Sequence, residues 1–171
     1  NLKKAIVFSL LVAAGSTTFA QTSNLKKAKA SLQKFEELKG AGTAELGRTS
    51  LTSAKEAIDL AIVHKKKKED AETWTVYALV NANLASLDDS DETATLTAQA
   101  VKKAKELDVD KKHADNINVA EQTLGQFNFN KGVAAWDKQD YKNAYAAFDN
   151  ALVYLPGDTT LTYYSGLAAI Q

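Results

Sequence analysis

The 171-residue sequence contains no cysteine, no methionine and only one proline. Without cysteine the chain cannot form a disulfide or carry a lipid anchor on a cysteine, and few candidate ligands remain for a zinc site. The two histidines, His64 and His113, stand beside lysines and are interpreted as exposed residues. Methionine is missing even at position 1, which predicts an N-terminal fragment of a longer reading frame that has lost its initiator.

The common catalytic and nucleotide-binding motifs are also missing. There is no P-loop, no glycine-rich dinucleotide loop, no H-E-x-x-H helix and no nucleophile elbow. Paired carboxylates occur only in the acidic run from Asp88 to Glu92, which lacks the central glycine and terminal glutamate of a calcium-binding EF-hand loop. We therefore predict a chain that is not an enzyme and has no cofactor and no metal. The acidic run is interpreted as a loop and helix cap.

The first 20 residues have the pattern of an export signal. Lys3 and Lys4 precede an apolar core over residues 5–14, and small residues surround Phe19 at the expected cleavage point. The apolar core is too short to span a bilayer as a helix, so cleavage between Ala20 and Gln21 is favoured over an uncleaved anchor. The sequence therefore predicts an exported protein of the periplasm or cell envelope, with no membrane span in its mature chain.

Charge is nearly balanced, with 21 basic and 21 acidic residues. Removal of the signal takes away two lysines and no acid, which leaves 19 basic residues against 21 acidic ones. Such a chain offers no electrostatic reason to expect nucleic acid or an anionic membrane as a partner. The run of four lysines at 65–68 is interpreted as a solvated helix end, where cations suit the helix dipole, rather than as a docking patch.

The scarcity of proline and the abundance of alanine, lysine, leucine and glutamate indicate an all-α chain over residues 21–171. Apolar side chains at helical spacing predict helices over 24–38, 53–63, 93–107 and 160–170, and another around Trp74. Ser53 and Glu56 are placed as a capping box at the start of the second helix, and Asp70 as the cap of the third. Residues 111–139 form either one helix or two.

A helix hairpin is predicted over residues 130–158. Its second helix has an apolar face formed by Tyr141, Ala144, Tyr145, Phe148, Ala151, Leu152 and Leu155. Pro156 and Gly157 end that helix, because proline cannot continue the hydrogen-bond ladder and glycine tolerates a left-handed turn. Phe129, Val133 and Trp136 give the preceding helix an apolar stripe.

Small residues recur in this hairpin at characteristic intervals. Gly132 is followed by Ala144, Phe148, Ala151 and Pro156, and Gly166 takes the place of Gly132 in the next predicted helix. The pattern resembles the tetratricopeptide repeat (TPR), whose period of about 34 residues equals the separation of the two glycines. The best repeat covers 125–158, and the next begins at about 159. Upstream, Trp74-x2-Tyr77-Ala78 is similar to the start of another repeat, with a predicted link to its second helix about ten residues longer than in the family.

The resemblance implies a helical solenoid whose first helices line a groove that receives a peptide or a partner helix. Carried over by alignment of the glycines and of Trp74, the groove positions are Thr75, Leu79, Asn83, Phe129, Val133, Trp136, Asp137, Tyr163, Leu167 and Ile170. For Trp136, simple packing against a neighbouring helix is an equally good interpretation. The charged clamp with which some members of the family hold a free C-terminus is not evident.

The resulting functional prediction is a non-catalytic protein–protein interaction scaffold or adaptor of the bacterial cell envelope. One alternative is an outer-membrane component that binds glycans or nutrients. Another is an accessory TPR domain of a larger envelope enzyme. Because no second helix follows the helix at 160–170, we also expect that helix to expose Leu161, Tyr164, Leu167 and Ala168 and to fray or dimerise.

Overall fold

The computed structural model describes residues 24–65 and 67–171, so the predicted signal over residues 1–20 lies outside the described residues. Within the described ranges all regular structure is helical, which confirms the all-α prediction. The helices are α1 (residues 24–40), a short 3-10 helix (Ala44–Gly47), α2 (Arg48–Ile62), α3 (Ala71–Asp88), α4 (Asp91–Leu107), α5 (Ala114–Asp137), α6 (Tyr141–Tyr154) and α7 (Thr159–Ala169).

Successive helices pack as hairpins, α3 against α4 and α5 against α6, and α7 packs on α6. In addition α3 packs against α5, so these two odd-numbered helices lie side by side. Much of the core is alanine, including Ala54, Ala78, Ala100 and Ala144, all fully buried. Small side chains let helix backbones approach closely, which explains how helices with few large apolar residues still enclose a core.

The predicted start of α2 at Ser53 is wrong. The helix begins at Arg48, and Ser53 and Glu56 lie inside it. Its buried stripe already starts at Leu51, so the first turn must precede that residue. The 3-10 helix runs directly into α2, and Arg48 is held in place by ion pairs with Glu45 and Asp88.

The long link predicted between the helix around Trp74 and the next one is also wrong. Only Asp89 and Ser90 separate α3 from α4. Asp89 adopts a left-handed conformation (φ 49°), and the Ser90 hydroxyl accepts a hydrogen bond from the Thr93 amide at 3.2 Å. The interpretation of the acidic run as a loop and helix cap is therefore confirmed at these two residues. The additional residues lengthen the helices instead of the loop.

Residues 111–139, left open between one helix and two, contain the single continuous helix α5. Glycines inside α5 permit its contacts with α6. A Cβ atom added at Gly132 would lie 2.4 Å from Cε1 of Phe148, and one added at Gly125 would lie 2.6 Å from Cγ of Leu155. Real side chains do not approach so closely, so both contacts depend on the absence of a Cβ. The predicted hairpin and its close approach at Gly132 are confirmed.

The ends of α6 follow the sequence prediction. Asp140 caps the helix by accepting a hydrogen bond from the Asn143 amide at 3.3 Å, and the helix ends at Tyr154. Gly157 has φ 84°, the left-handed conformation that glycine adopts at low cost. The turn then leads into α7, where Asp158 caps the new helix through the Leu161 amide.

The prediction that α7 exposes Leu161 and Ala168 is wrong, because both are buried against α6. These residues occupy the face of α7 that meets the preceding hairpin, not the face that a following helix would cover. Tyr164 is partly exposed, as expected, whereas the most exposed large side chains of this segment are Tyr163 and Ile170. Among the described helices, none combines the length and apolar character needed to cross a membrane.

Candidate functional site

The odd-numbered helices α1, α3 and α5 together form one face of the molecule. Asn83 of α3 joins α3 to α1: its amide nitrogen donates to Glu36 at 2.7 Å, and its amide oxygen accepts from the Lys39 ammonium at 2.7 Å. A further ion pair joins Lys29 of α1 to Glu72 of α3. These polar contacts fix α1 along α3, so the three helices present a continuous surface.

A groove opens on this face, with a cavity of about 410 Å³. It is lined by Phe35, Lys39, Ala44, Asn83, Ser86, Leu87, Val119, Gln122, Thr123, Gln126 and Asn130. We call this surface the odd-helix groove. Residues from all three helices contribute, so its shape depends on the hairpin array rather than on one element.

The lining of the odd-helix groove is amphipathic. Leu87 and Val119 supply apolar surface above the buried Phe35 ring, while amide side chains from α5 stand at the edge. The ammonium of Lys39, which is the positive group of the lining, is already engaged with Asn83 and lies 3.6 Å from the Glu36 carboxylate. Such a surface suits an uncharged, partly apolar segment with backbone groups to pair with the amides.

The predicted groove residues of α3 lie mainly in the interior. Thr75 and Asn83 are buried, and Thr75 donates its hydroxyl to the Ala71 carbonyl at 2.8 Å. Leu79 is half-buried and packs against the largest core cluster. Helix α1 covers this part of α3, so only Asn83 reaches the odd-helix groove.

The predicted groove residues of α5 and α7 are divided between two environments. Phe129 and Trp136 pack towards α6, with the Phe129 ring 6.0 Å from that of Phe148 and the Trp136 ring 5.1 Å from that of Tyr141. By contrast Val133, Asp137, Tyr163 and Leu167 are exposed or half-buried. None of these residues lines the odd-helix groove.

Sequence reasoning missed the stripe of α5 that does line the groove, formed by Val119, Gln122, Thr123, Gln126 and Asn130. These residues follow each other at intervals of 3, 1, 3 and 4, which places them on one helix face. The sequence signal of this groove-lining face is a mostly polar, uncharged stripe on a helix whose other faces carry buried apolar residues. The stripe becomes visible only when residues 114–137 are taken as one continuous helix.

A second, more polar cleft lies between α5 and α6, next to the α3–α4 link. Lys131 reaches both carboxylates of that link, with its ammonium 3.5 Å from Asp89 and 3.2 Å from Asp91. Burial by itself lowers the pKa of Lys131, but the bonds to Asp91 and Asp89 outweigh it, so this pKa lies above its ordinary value. The ion pairs balance part of the negative charge of the link and hold α5 against it.

Within residues 24–65 and 67–171, no three histidine, cysteine or acidic side chains are grouped as a metal site would require. No protein-family model, curated protein or solved structure matches the chain.

Proposed function

We propose that this chain is a non-catalytic, TPR-like scaffold that binds an extended segment of another protein in its odd-helix groove. The observation that carries the proposal is the amphipathic lining of that groove, assembled from three helices of successive hairpins. The hairpin spacing supports the TPR-like arrangement, since Gly132 meets Phe148 where the family places its small residue and its aromatic residue.

An extended peptide fits the chemistry of the groove better than a charged ligand does. Gln126 donates to Asn130 Oδ1 at 3.0 Å, and the remaining amide groups of these two residues, with the Gln122 amide, offer both donors and acceptors for a peptide backbone. The apolar lining by Leu87 and Val119 has room for one or two apolar side chains of the ligand. Preferred ligands are therefore expected to be uncharged at the anchoring position.

The proposal is tested with peptides selected from a random library on the immobilised chain, with their affinities measured by fluorescence anisotropy. Val119→Arg places a long charged side chain in the groove at a residue that is already 43% exposed, so folding should be unaffected. Val109→Arg is the matched control, since Val109 is 83% exposed and lies outside the groove. Selected peptides should bind at least about tenfold more weakly to the Val119 variant than to the control. Equal affinities for the two variants would refute the site.

We further infer that the scaffold is exported to the periplasm or cell envelope. The support is the pattern of the first 20 residues, with paired lysines before a short apolar core and small residues at the cleavage point. N-terminal sequencing of the protein from its native host should yield Gln21 as the first residue. A cytoplasmic protein that retains Lys3 and Lys4 would overturn this inference.

A further inference from the structure

The charge balance of the whole chain conceals an uneven distribution between the two ends of the helix array. Successive helices run in opposite directions, so the start of α1, the α2–α3 link and the α4–α5 link lie at the same end. Contacts between these segments show the grouping. An ion pair joins Lys29 to Glu72, and Ala71 and Val109 line one small pocket together.

Lysines outnumber acidic residues at this end. Residues 24–29, 64–72 and 103–115, which we call the lysine end, contain eleven lysines and seven acidic residues. At the opposite end, about 25 Å away along α3, residues 36–48 and 86–92 contain two basic residues and seven acidic ones. The fold therefore makes the run of four lysines part of a wider positive surface.

Several lysines of the lysine end have no neighbouring carboxylate. Five make ion pairs with acidic side chains, namely Lys29, Lys67, Lys103, Lys105 and Lys112. Five others are exposed and form no ion pair with an acidic side chain within residues 24–65 and 67–171, namely Lys26, Lys27, Lys65, Lys68 and Lys111. We call this second set the unpaired lysines, because their ammonium groups remain available to an anionic partner.

Exposed aliphatic side chains stand beside the unpaired lysines. Val63, just after α2, is 78% exposed, and Val109, in the α4–α5 link, is 83% exposed. They precede Lys65 and Lys111 by two residues each. This combination matches the surface of an anionic bilayer, where aliphatic side chains enter the apolar layer while ammonium groups stay with the lipid phosphates. Nucleic acid also attracts lysines, but its phosphate backbone offers valine no apolar layer.

The chain itself is a poor occupant of the lysine end. Residues 1–23 contain Lys3 and Lys4 and no acidic residue, so this segment supplies no negative charge whether or not it is cleaved. The acidic end of a second copy is a poorer match than a bilayer, because its aspartates at 88, 89 and 91 already form ion pairs with Arg48 and Lys131.

We propose that the lysine end binds the surface of an anionic phospholipid bilayer, with the two valines in the interface and the unpaired lysines on lipid phosphates. Such binding is peripheral and needs no helix that crosses the membrane. None of the residues of the lysine end lines the odd-helix groove, so this surface goes beyond the proposed function and the two proposals can fail separately.

The experiment measures co-sedimentation of the chain from Gln21 to Gln171 with vesicles of phosphatidylglycerol mixed with phosphatidylcholine. This chain contains every described residue and lacks the apolar core at 5–14, so any binding belongs to the folded part. Binding should be saturable, should weaken as the salt concentration rises, and should be absent with vesicles of phosphatidylcholine alone.

A variant with Lys65→Gln, Lys68→Gln and Lys111→Gln removes three of the unpaired lysines and should bind at least about tenfold more weakly. A variant with Val63→Ser and Val109→Ser should also bind more weakly while its salt dependence is retained. All five side chains are exposed or partner-free at the surface, so folding should be unaffected.

The matched control removes the same charge elsewhere, through Lys34→Gln, Lys138→Gln and Lys142→Gln, which are exposed lysines outside the lysine end. It should bind nearly as tightly as the unmodified chain. An equal loss in both lysine variants, or no saturable binding to the anionic vesicles, would overturn the proposal.

Two further outcomes would assign the lysine end to another partner and would equally overturn the proposal. One is tighter binding to duplex DNA than to the vesicles, with no effect of the valine substitutions. The other is a salt-sensitive oligomer that forms without vesicles and is lost in the variant that lacks the unpaired lysines at 65, 68 and 111.

Discussion

Gly132 and Gly166 occupy the same position of the repeating pattern, yet the same substitution should have opposite effects at the two sites. At Gly132 an alanine Cβ would lie 2.4, 2.5 and 3.0 Å from three ring atoms of Phe148. That ring cannot move away easily, because it is buried between the rings of Phe129 and Tyr164, with centroids 6.0 and 5.9 Å distant. At Gly166 the new methyl group meets nothing within 4 Å.

The magnitudes follow from two opposing contributions. Overpacking a core costs about 1–3 kcal/mol, and the severe overlap places Gly132→Ala near the upper end of that range. Alanine in place of glycine within a helix gains about 1 kcal/mol. Gly132→Ala should therefore lower the free energy of unfolding by about 1–2 kcal/mol, a fall in Tm of roughly 3–6 °C for a chain of this size. Gly166→Ala should raise the free energy of unfolding by about 0.5–1 kcal/mol.

The assay is urea unfolding of the full chain, followed by far-ultraviolet circular dichroism. Phe148→Leu provides the internal check, since removal of the ring removes the clash. In that background Gly132→Ala should be neutral or stabilising, with a coupling energy of about 1 kcal/mol or more between the two substitutions. A Gly132→Ala variant as stable as the unmodified chain, or no coupling to Phe148, would refute the close contact between α5 and α6.

Two further predictions concern buried and capping polar groups. Asn81 is fully buried, and its amide donates to the Tyr77 carbonyl at 2.7 Å, while its Oδ1 has no hydrogen-bond partner among residues 24–65 and 67–171. Asn81→Leu should therefore raise the free energy of unfolding by about 1–2 kcal/mol in urea denaturation, and a loss of stability would contradict an unpartnered Oδ1. For Asp70, burial by itself raises the pKa, but the Thr73 hydroxyl and the Lys67 ammonium outweigh it and hold the pKa below its ordinary 3.8. The resulting contribution to stability is present above pH 3.8 and is lost as the pH falls through the folded-state pKa. Asp70→Asn should therefore have a lower free energy of unfolding than the unmodified chain at neutral pH, and the two values should converge in strong acid. A difference in the free energy of unfolding that stays constant across that pH range would contradict the lowered pKa of Asp70.

The existence of the helices could be predicted from sequence because apolar spacing directly reflects which face is buried. Leu51, Ala100 and Phe148 all lie on buried faces. The ends of the helices are harder to predict from sequence than their existence, because the ends depend on contacts with residues that are distant in sequence. The capping pair at Ser53 and Glu56 is a valid local signal, but burial of Leu51 and the ion pair of Arg48 with Asp88 extend α2 beyond it.

The odd-helix groove is harder to predict than the helix ends, because it is formed by residues that are distant in sequence. Asn83 was predicted to face a partner, and its polar side chain is consistent with that expectation when the sequence is considered alone. In the fold, Glu36 and Lys39 of α1 occupy its hydrogen-bonding groups. No local pattern around Asn83 reveals that the first helix of the described chain lies on it.

Trp136 shows that the alignment of repeats can place a residue on a helix face without revealing what packs against that face. The sequence left two interpretations open for this residue, a groove contact or packing on a neighbouring helix. Its ring lies 5.1 Å from that of Tyr141 and 6.1 Å from that of Tyr164, so α6 and α7 both contact it. The equivalent residue after α7, Ile170, has the same position in the pattern and remains exposed. Equal positions in successive hairpins therefore share a place on the helix face, and the contacts that neighbouring helices make there decide how far each side chain is buried.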